Sequence, residues 1–243
     1  MVKYGLIGRN ISYSFSRGYF TDKFAQLNLP DHSYENFDLK EIGEFPLLLS
    51  REKDLGGLNV TIPYKEAIIP FLDELETEAE SIGAVNTIQI KSGRLKGFNT
   101  DVFGFRKTLE PILQPGMRRA LILGTGGASK AVAHVLKALD IGFQYVSRKP
   151  SPGQLSYEQL DKALISSHRL IINCTPLGTF PNTGQKAEIP YEALTQGHFL
   201  YDLIYNPAKT AFLMEGEKRG ALIQNGLRML ELQAEKAWEI WNV

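Results

Sequence analysis

The chain has a single cysteine, Cys174, so it can close no disulfide within itself and assemble no thiolate zinc cluster; a reducing compartment is the natural expectation. It also has no excess charge of either sign. With 27 Lys+Arg against 27 Asp+Glu, the sequence argues against a broad phosphate-neutralising surface, and so against a nucleic-acid partner. No apolar run approaches the roughly 18 residues that a membrane span requires. The opening MVKYGLIG lacks both a long apolar segment and a cleavage site, and the expectation is a cytoplasmic protein without a membrane partner. His32, His134, His168 and His198 are dispersed, with neither His-x-His nor His-x-x-x-His spacing, so no metal site is expected. What is present suits a packed core: 43% of the 243 residues are hydrophobic, enough for one large domain or two modest ones.

The pattern along the chain alternates strand and helix. Val2 to Gly8 reads as a strand ending in glycine, followed by a Ser-rich turn and an apolar-periodic helix through Tyr19, Phe20, Phe24 and Leu27. His32 to Asp38 predicts a strand, Lys40 to Leu49 a helix, and Gly57 to Ile62 a strand closed by Pro63. This β-α order favours a parallel sheet. Helices are expected over Lys65 to Phe71 and Glu74 to Ile82, then a hairpin of Ala84 to Ile90 with Arg94 to Phe98 around Ser92-Gly93. The first unit closes near Asp101, where a helix carrying Phe105 and Leu109 begins; Gln114-Pro115-Gly116 then breaks the chain. The second unit repeats the order: strand Arg119 to Leu123, helix Lys130 to Leu139, strand Phe143 to Ser147, helix Tyr157 to Ile165, strand Leu170 to Cys174. A final helix, Leu227 to Trp241, carries a broad apolar stripe that suits docking against either unit.

A strand that runs into Gly124-Thr125-Gly126-Gly127-Ala128 and then a helix is the setting in which backbone amides receive a pyrophosphate. Ser129 stands where a third glycine would complete G-x-G-x-x-G, so a ligand-free tight turn is the competing reading. NAD sites place an acid at the end of the second strand; here Ser147, Arg148 and Lys149 follow Gly124 by 23 to 25 residues, with no acid among them. Two cations attract a 2′-phosphate, which points to NADP, against the alternative of solvated loop charges.

The substrate must then be held largely by the first unit, whose strand ends concentrate Ser12, Ser14, Ser16, Asn59, Thr61, Lys65, Asn86, Asn99 and Asp101. Hydroxyls, amides, one amine and one carboxylate suit an anionic, polyhydroxylated small molecule, although each alone also serves as a turn, a cap or a partner for buried backbone. Hydride reduction of a carbonyl needs a proton donor at the developing alkoxide, and Lys65, after the strand-Pro-Tyr turn, is the first choice, with Asp101 to orient it.

Several ordered motifs, from Gly8 through Ser14 and Ser16, Asn59-Val60-Thr61-Ile62-Pro63-Tyr64-Lys65, Gly83-Ala84-Val85-Asn86-Thr87 and Asn99-Thr100-Asp101 to Gly124-Thr125-Gly126-Gly127-Ala128-Ser129, Asn173-Cys174-Thr175-Pro176-Leu177-Gly178 and Asp202 through Tyr205-Asn206-Pro207, resemble the shikimate dehydrogenase family from end to end. The resemblance implies NADP-dependent interconversion of 3-dehydroshikimate and shikimate, with Lys65 and Asp101 as the catalytic pair in the cleft of two α/β domains. It implies an N-terminal α/β substrate domain, 1–101 with 227–243, and a Rossmann-like doubly wound NADP-binding domain, 102–226, the last helix returning to the substrate domain. Ser14, Ser16 and Tyr205 would hold the substrate carboxylate, and Thr61, Asn86, Asp101 and Gln233 its hydroxyls. Gly124, Thr125, Gly126, Gly127, Ala128, Ser147, Arg148, Lys149, Leu203 and Gly226 would line the cofactor. Arg17 and Phe20 stand where the family usually has proline and histidine, and Ser147 where asparagine is more usual. Monomer and homodimer are both open. So are three competing readings: a quinate dehydrogenase using NAD, a dinucleotide sensor without chemistry, which would be expected to lack Lys65 or Asp101, and a folate-linked dehydrogenase.

Overall fold

The computed structural model describes residues 1–12 and 14–243; Tyr13 lies outside them. They form two compact units, one of residues 1–100 with 233–243 and the other of residues 101–232.

The first unit is built on β1 (Val2–Gly8), α1 (Phe15–Gln26), β2 (His32–Asp38), α2 (Phe45–Arg51), β3 (Leu55–Val60), β4 (Glu74–Leu75), α3 (Thr77–Ile82), β5 (Thr87–Lys91) and β6 (Arg94–Phe98). Its sheet has the order β2-β1-β3-β5-β6-β4. The expected parallel sheet is corrected to a mixed one: β1 runs parallel to β2 and β3, whereas β5 is antiparallel to both β3 and β6. The β5–β6 pairing is the expected hairpin: Ser92 and Gly93 both adopt positive φ, 51° and 76°, the twist that folds two flanking strands directly back on each other. The departure is β5 lying antiparallel beside β3.

The helix expected over Lys65 to Phe71 does not form. A proline ring at position 70 would clash with the Glu66 carbonyl of a continuous helix and lacks the amide to bond it. The chain instead makes a turn at residues 65–68 and a short 3-10 turn over Ile69–Phe71. Glu74 and Leu75, assigned to the following helix, pair beside β6 as β4. Packing covers both faces of the sheet. Ile7, Leu58, Ile68, Val85 and Ile88 form one apolar cluster, and Tyr4, Phe20, Phe24, Tyr34, Ala234, Ala237 and Trp241 form another. Each fully buried large side chain of this kind contributes roughly 1.5–3 kcal/mol over its exposed state.

The second unit contains α4 (Asp101–Leu109), β7 (Arg119–Leu123), α5 (Gly127–Ala138), β8 (Gly142–Val146), α6 (Lys162–Ser167), β9 (Leu170–Asn173), β10 (Phe199–Asp202), α7 (Ala211–Lys218) and β11 (Leu222–Gln224), and α8 (Leu227–Trp241) begins in it. All pairings are parallel, in the order β11-β10-β9-β7-β8. The chain order therefore reverses at β7, between β8 on one side and β9 on the other; this is the switch point at which doubly wound sheets bind ligands outside their carboxyl ends. The helix expected over Tyr157 to Ile165 is split in two. Ser156 and Gln159 close a capping box on the 3-10 turn Tyr157–Gln159, and Asp161 starts a new helix by accepting from Leu164 N at 2.7 Å.

Candidate functional site

In the first unit the polar candidates are fixed by their own backbone. Ser14 caps α1, its hydroxyl accepting from Ser16 N at 3.2 Å, and Ser16, the second residue of the helix, is buried. Thr61 N donates to Ile7 O at 2.8 Å, holding the chain beyond β3 against β1. The next turn is anchored by Tyr64, buried, with its hydroxyl donating to Leu39 O at 2.8 Å and the Arg9 guanidinium 5.6 Å over its ring. Lys65 comes next, half-buried, and its carbonyl accepts from Val85 N at 2.7 Å. The expectation that Lys65 opens a helix is thus corrected: it lies in a turn held on one side by Tyr64 and on the other by Val85.

Asn86 and Gln233, 147 residues apart in sequence, are brought to 3.2 Å, with Asn86 Nδ2 donating to Gln233 Oε1. Thr100 joins them: its amide donates to Asn86 Oδ1 at 2.7 Å and its hydroxyl to Gln233 Oε1 at 3.2 Å. Asn59 lies behind, donating to Asn86 O and to Thr87 Oγ1 and accepting from the Tyr34 hydroxyl at 2.8 Å. Asn99 donates to Ala84 O, and its Oδ1 is a buried acceptor with no hydrogen-bond partner among the described residues. Sequence reasoning missed Tyr34 and quoted Thr87 and Thr100 within motifs without giving either a role; Thr87 reaches the cluster through strand pairing, as the direct partner of Asn59 across β3 and β5.

Asp101 opens the second unit, buried, in the first turn of α4, where the helix macrodipole favours an acidic residue. At the switch point Gly124 has φ +99°, a left-handed conformation that strains any other residue. A Cβ there would also lie 3.0 Å from the Thr175 methyl and 3.3 Å from Cys174 O, so the chain leaving β7 passes close to the chain leaving β9. Gly126 is the N-cap of α5 and offers no side-chain cap, while a Cβ on it would meet open space. Ser129 turns inward to Gly126 O at 2.6 Å. The first amides of this helix, those of Gly127 and Ala128 among them, are thereby left for an external anion, beside an exposed Thr125. After β8, Lys149 N donates to Ser147 Oγ at 3.2 Å, and Arg148 and Lys149 are both exposed. An uncapped helix N-terminus followed at the next strand end by two cations fits the two phosphate groups of NADP, its bridging pyrophosphate and its 2′-phosphate.

Leu203 and Tyr205, both half-buried, lie in the segment after β10. Leu203 N donates to Asn173 O, and Gly226 N to Ile204 O, each at 3.0 Å. The segment is clamped by Asp202, which accepts from Asn173 Nδ2 at 3.0 Å, Ile204 N at 3.1 Å and Thr210 Oγ1 at 2.5 Å. Nothing in the sequence pattern gives Asp202 a role. Burial pushes its carboxyl up to about 6, opposed by these three donors.

The sign of the resulting pH dependence is set by that direction. Between the unfolded value of about 3.9 and the folded value, the native state binds more protons than the unfolded chain, so this contribution to stability falls as pH rises through that window. Above it, keeping the carboxylate buried costs on the order of 3 kcal/mol. Asp202→Asn keeps an acceptor and cannot ionise, so its Tm relative to the parent protein is expected to rise between pH 4.5 and pH 7.5. A Tm difference that stays flat across that interval would contradict the assignment.

A five-stranded parallel sheet with an anion-ready helix at its switch point, joined in one chain to a unit lined with amides and hydroxyls, defines a dinucleotide-binding α/β protein with a separate site for a small polar ligand. Residues 6–88 match the model of the shikimate dehydrogenase substrate binding domain. The chain is 37% identical over 248 residues to the shikimate dehydrogenase (NADP(+)) of Clostridium botulinum strain Hall, covering 98% of this chain and 95% of that one. It is 38% identical over 253 residues to the corresponding protein of Staphylococcus epidermidis, covering 99% and 91%. Among solved structures, shikimate 5-dehydrogenase of Thermus thermophilus in complex with NADP(H) and shikimate is 31% identical with a TM-score of 0.87, covering 99% and 93%. The chain belongs to the shikimate dehydrogenase family.

Among the described residues no group of His, Cys, Asp or Glu is placed to hold a metal ion, and no helix is long and apolar enough to cross a membrane.

Proposed function

We propose that the protein interconverts 3-dehydroshikimate and shikimate with NADP, in the cytoplasm, as a monomer or homodimer. The observation that carries the reading is similarity over 98% of the chain to relatives named for this activity and cofactor. The site residues add chemistry to it. Ser14, Ser16 and Tyr205 are assigned to the substrate carboxylate, and Thr61, Asn86 and Gln233, with Asp101, to its hydroxyls. Because Gln233 accepts through Oε1 from both Asn86 and Thr100, it offers its Nε2 hydrogens to a ligand hydroxyl.

A bound nicotinamide would supply the hydride to the substrate carbon, or take it up in the reverse direction. In the reducing direction Lys65 delivers the proton to the carbonyl oxygen as that oxygen becomes an alkoxide; in the oxidising direction the same group, deprotonated, removes it. Asp101 balances and orients the amine. Gly124 through Ala128 receive the pyrophosphate on backbone amides, with Leu203 and Gly226 lining the cofactor further along, and Ser147, Arg148 and Lys149 take the 2′-phosphate.

The direct test is reduced-nicotinamide absorbance on mixing the protein with shikimate and NADP, with quinate and NAD as crossed controls. Rapid, shikimate-selective NADPH formation is expected, and no turnover with any pair by a folded, NADPH-binding protein would overturn the reading. The cofactor assignment has its own test in Arg148→Glu. Loss of a charge-assisted contact, worth roughly 1.5–3 kcal/mol, is expected to raise KM for NADP by about 10- to 100-fold and to leave that for NAD nearly unchanged. Equal losses for both cofactors would remove Arg148 from the 2′-phosphate site.

A further inference from the structure

We propose that Tyr34 is a positioning residue for the substrate, tying Ser16, assigned to its carboxylate, to the amides assigned to its hydroxyls. The inference rests on the proposed shikimate dehydrogenase activity. Tyr34 lies on β2, 3% exposed, stacked on Phe20 with ring centroids 4.6 Å apart and planes 9° from parallel. Phe20 is fully buried, and an apolar ring pins the phenol without competing for its hydroxyl.

The polar neighbours of that hydroxyl are Ser16, on α1, and Asn59, on β3, whose Oδ1 accepts from it at 2.8 Å. Burial raises the phenol far above its usual range, so it remains a donor at every working pH. A permanent donor at this end sets the direction of each bond beyond it. With its oxygen held by Tyr34, Asn59 must present Nδ2 to Asn86 O at 3.3 Å and to Thr87 Oγ1 at 3.2 Å. Thr87, occupied as an acceptor, then donates toward Asn86 Oδ1 at 3.2 Å. Asn86 in turn faces Gln233 through Nδ2. The Thr100 amide holds Asn86 in the same orientation independently, so losing the Tyr34 hydroxyl loosens the amides without dissolving the cluster. A Phe at position 34 would keep the ring packing and orphan Asn59 Oδ1, loosening the side chain that donates to Asn86 O and Thr87 Oγ1.

Tyr34→Phe is therefore expected to raise KM for shikimate by about 3- to 10-fold and to lower the preference for shikimate over quinate. Its kcat and its KM for NADP should stay close to those of the parent protein. Thr87→Val cuts the same chain of bonds one step further on and should reproduce this split; it decides the matter if Tyr34→Phe fails to fold. A parent protein without shikimate turnover would sink the proposed function itself. A parent that turns shikimate over, with a folded Tyr34→Phe or Thr87→Val whose KM and selectivity are unchanged, would overturn the role of Tyr34 alone.

Discussion

Lys65→Ala is expected to lower kcat by about 10²- to 10⁴-fold, the range contributed by a positioned proton donor, while leaving the Kd for NADPH within about twofold. Steady-state turnover and NADPH fluorescence titration measure the two quantities separately. The separation is expected because the turn bearing Lys65 is held by bonds that the substitution does not touch: Val85 N to the Lys65 carbonyl, and the Tyr64 hydroxyl to Leu39 O. The variant should therefore fold normally and retain the glycine turn of the second unit, losing only the amine. Undiminished turnover would take lysine out of the mechanism, and a parallel loss of NADPH affinity would indicate that Lys65 supports the cofactor instead.

The second large effect is expected at Gly226. A Cβ at this position would lie 2.0 Å from Leu203 O and 2.5 Å from Leu203 C, both backbone atoms that no rotamer change can move aside. Gly226→Ala must therefore displace the segment after β10, breaking the bond from Gly226 N to Ile204 O and shifting Leu203 and Tyr205. The stability loss is expected to be about 3 kcal/mol or more, a fall in Tm of roughly 6–12 °C for a chain of this size. Residual folded enzyme should show kcat/KM reduced by about 10²-fold, the effect of moving binding groups by an ångström. Thermal denaturation together with kinetics below the new Tm checks both; a variant unchanged in each would contradict the close approach.

How far this arrangement can be read from sequence depends on whether its cause is local. β1, β2, β7 and α8 are legible to the residue because apolar patterning and glycine punctuation define them within their own segments. The segment after Pro63 misleads because Lys65 to Phe71 has helical spacing while Pro70 forbids the helix. β10 and β11, with α7 between them, have no assignment from sequence. In the candidate site, hydroxyls, amides and glycines announce in the sequence the chemistry they can perform. Their supports do not. Tyr34 matters through Asn59, and Asp202 through Asn173 and Thr210, and these pairings exist only once parallel or antiparallel neighbours have been brought into register.

The close approach of Gly124 to Cys174 also equips the molecule with a reporter beside its glycine turn. Burial pushes the Cys174 thiol well above its usual range, with the negative charges of Asp202 and Asp101 acting in the same direction, so little thiolate exists at neutral pH. Being the sole cysteine, it gives an unambiguous signal in alkylation. Cys174 is half-buried where the chain leaves β9, so its alkylation rate at fixed pH reads the accessibility of the strand end beside Gly124, and saturating NADP is expected to lower that rate.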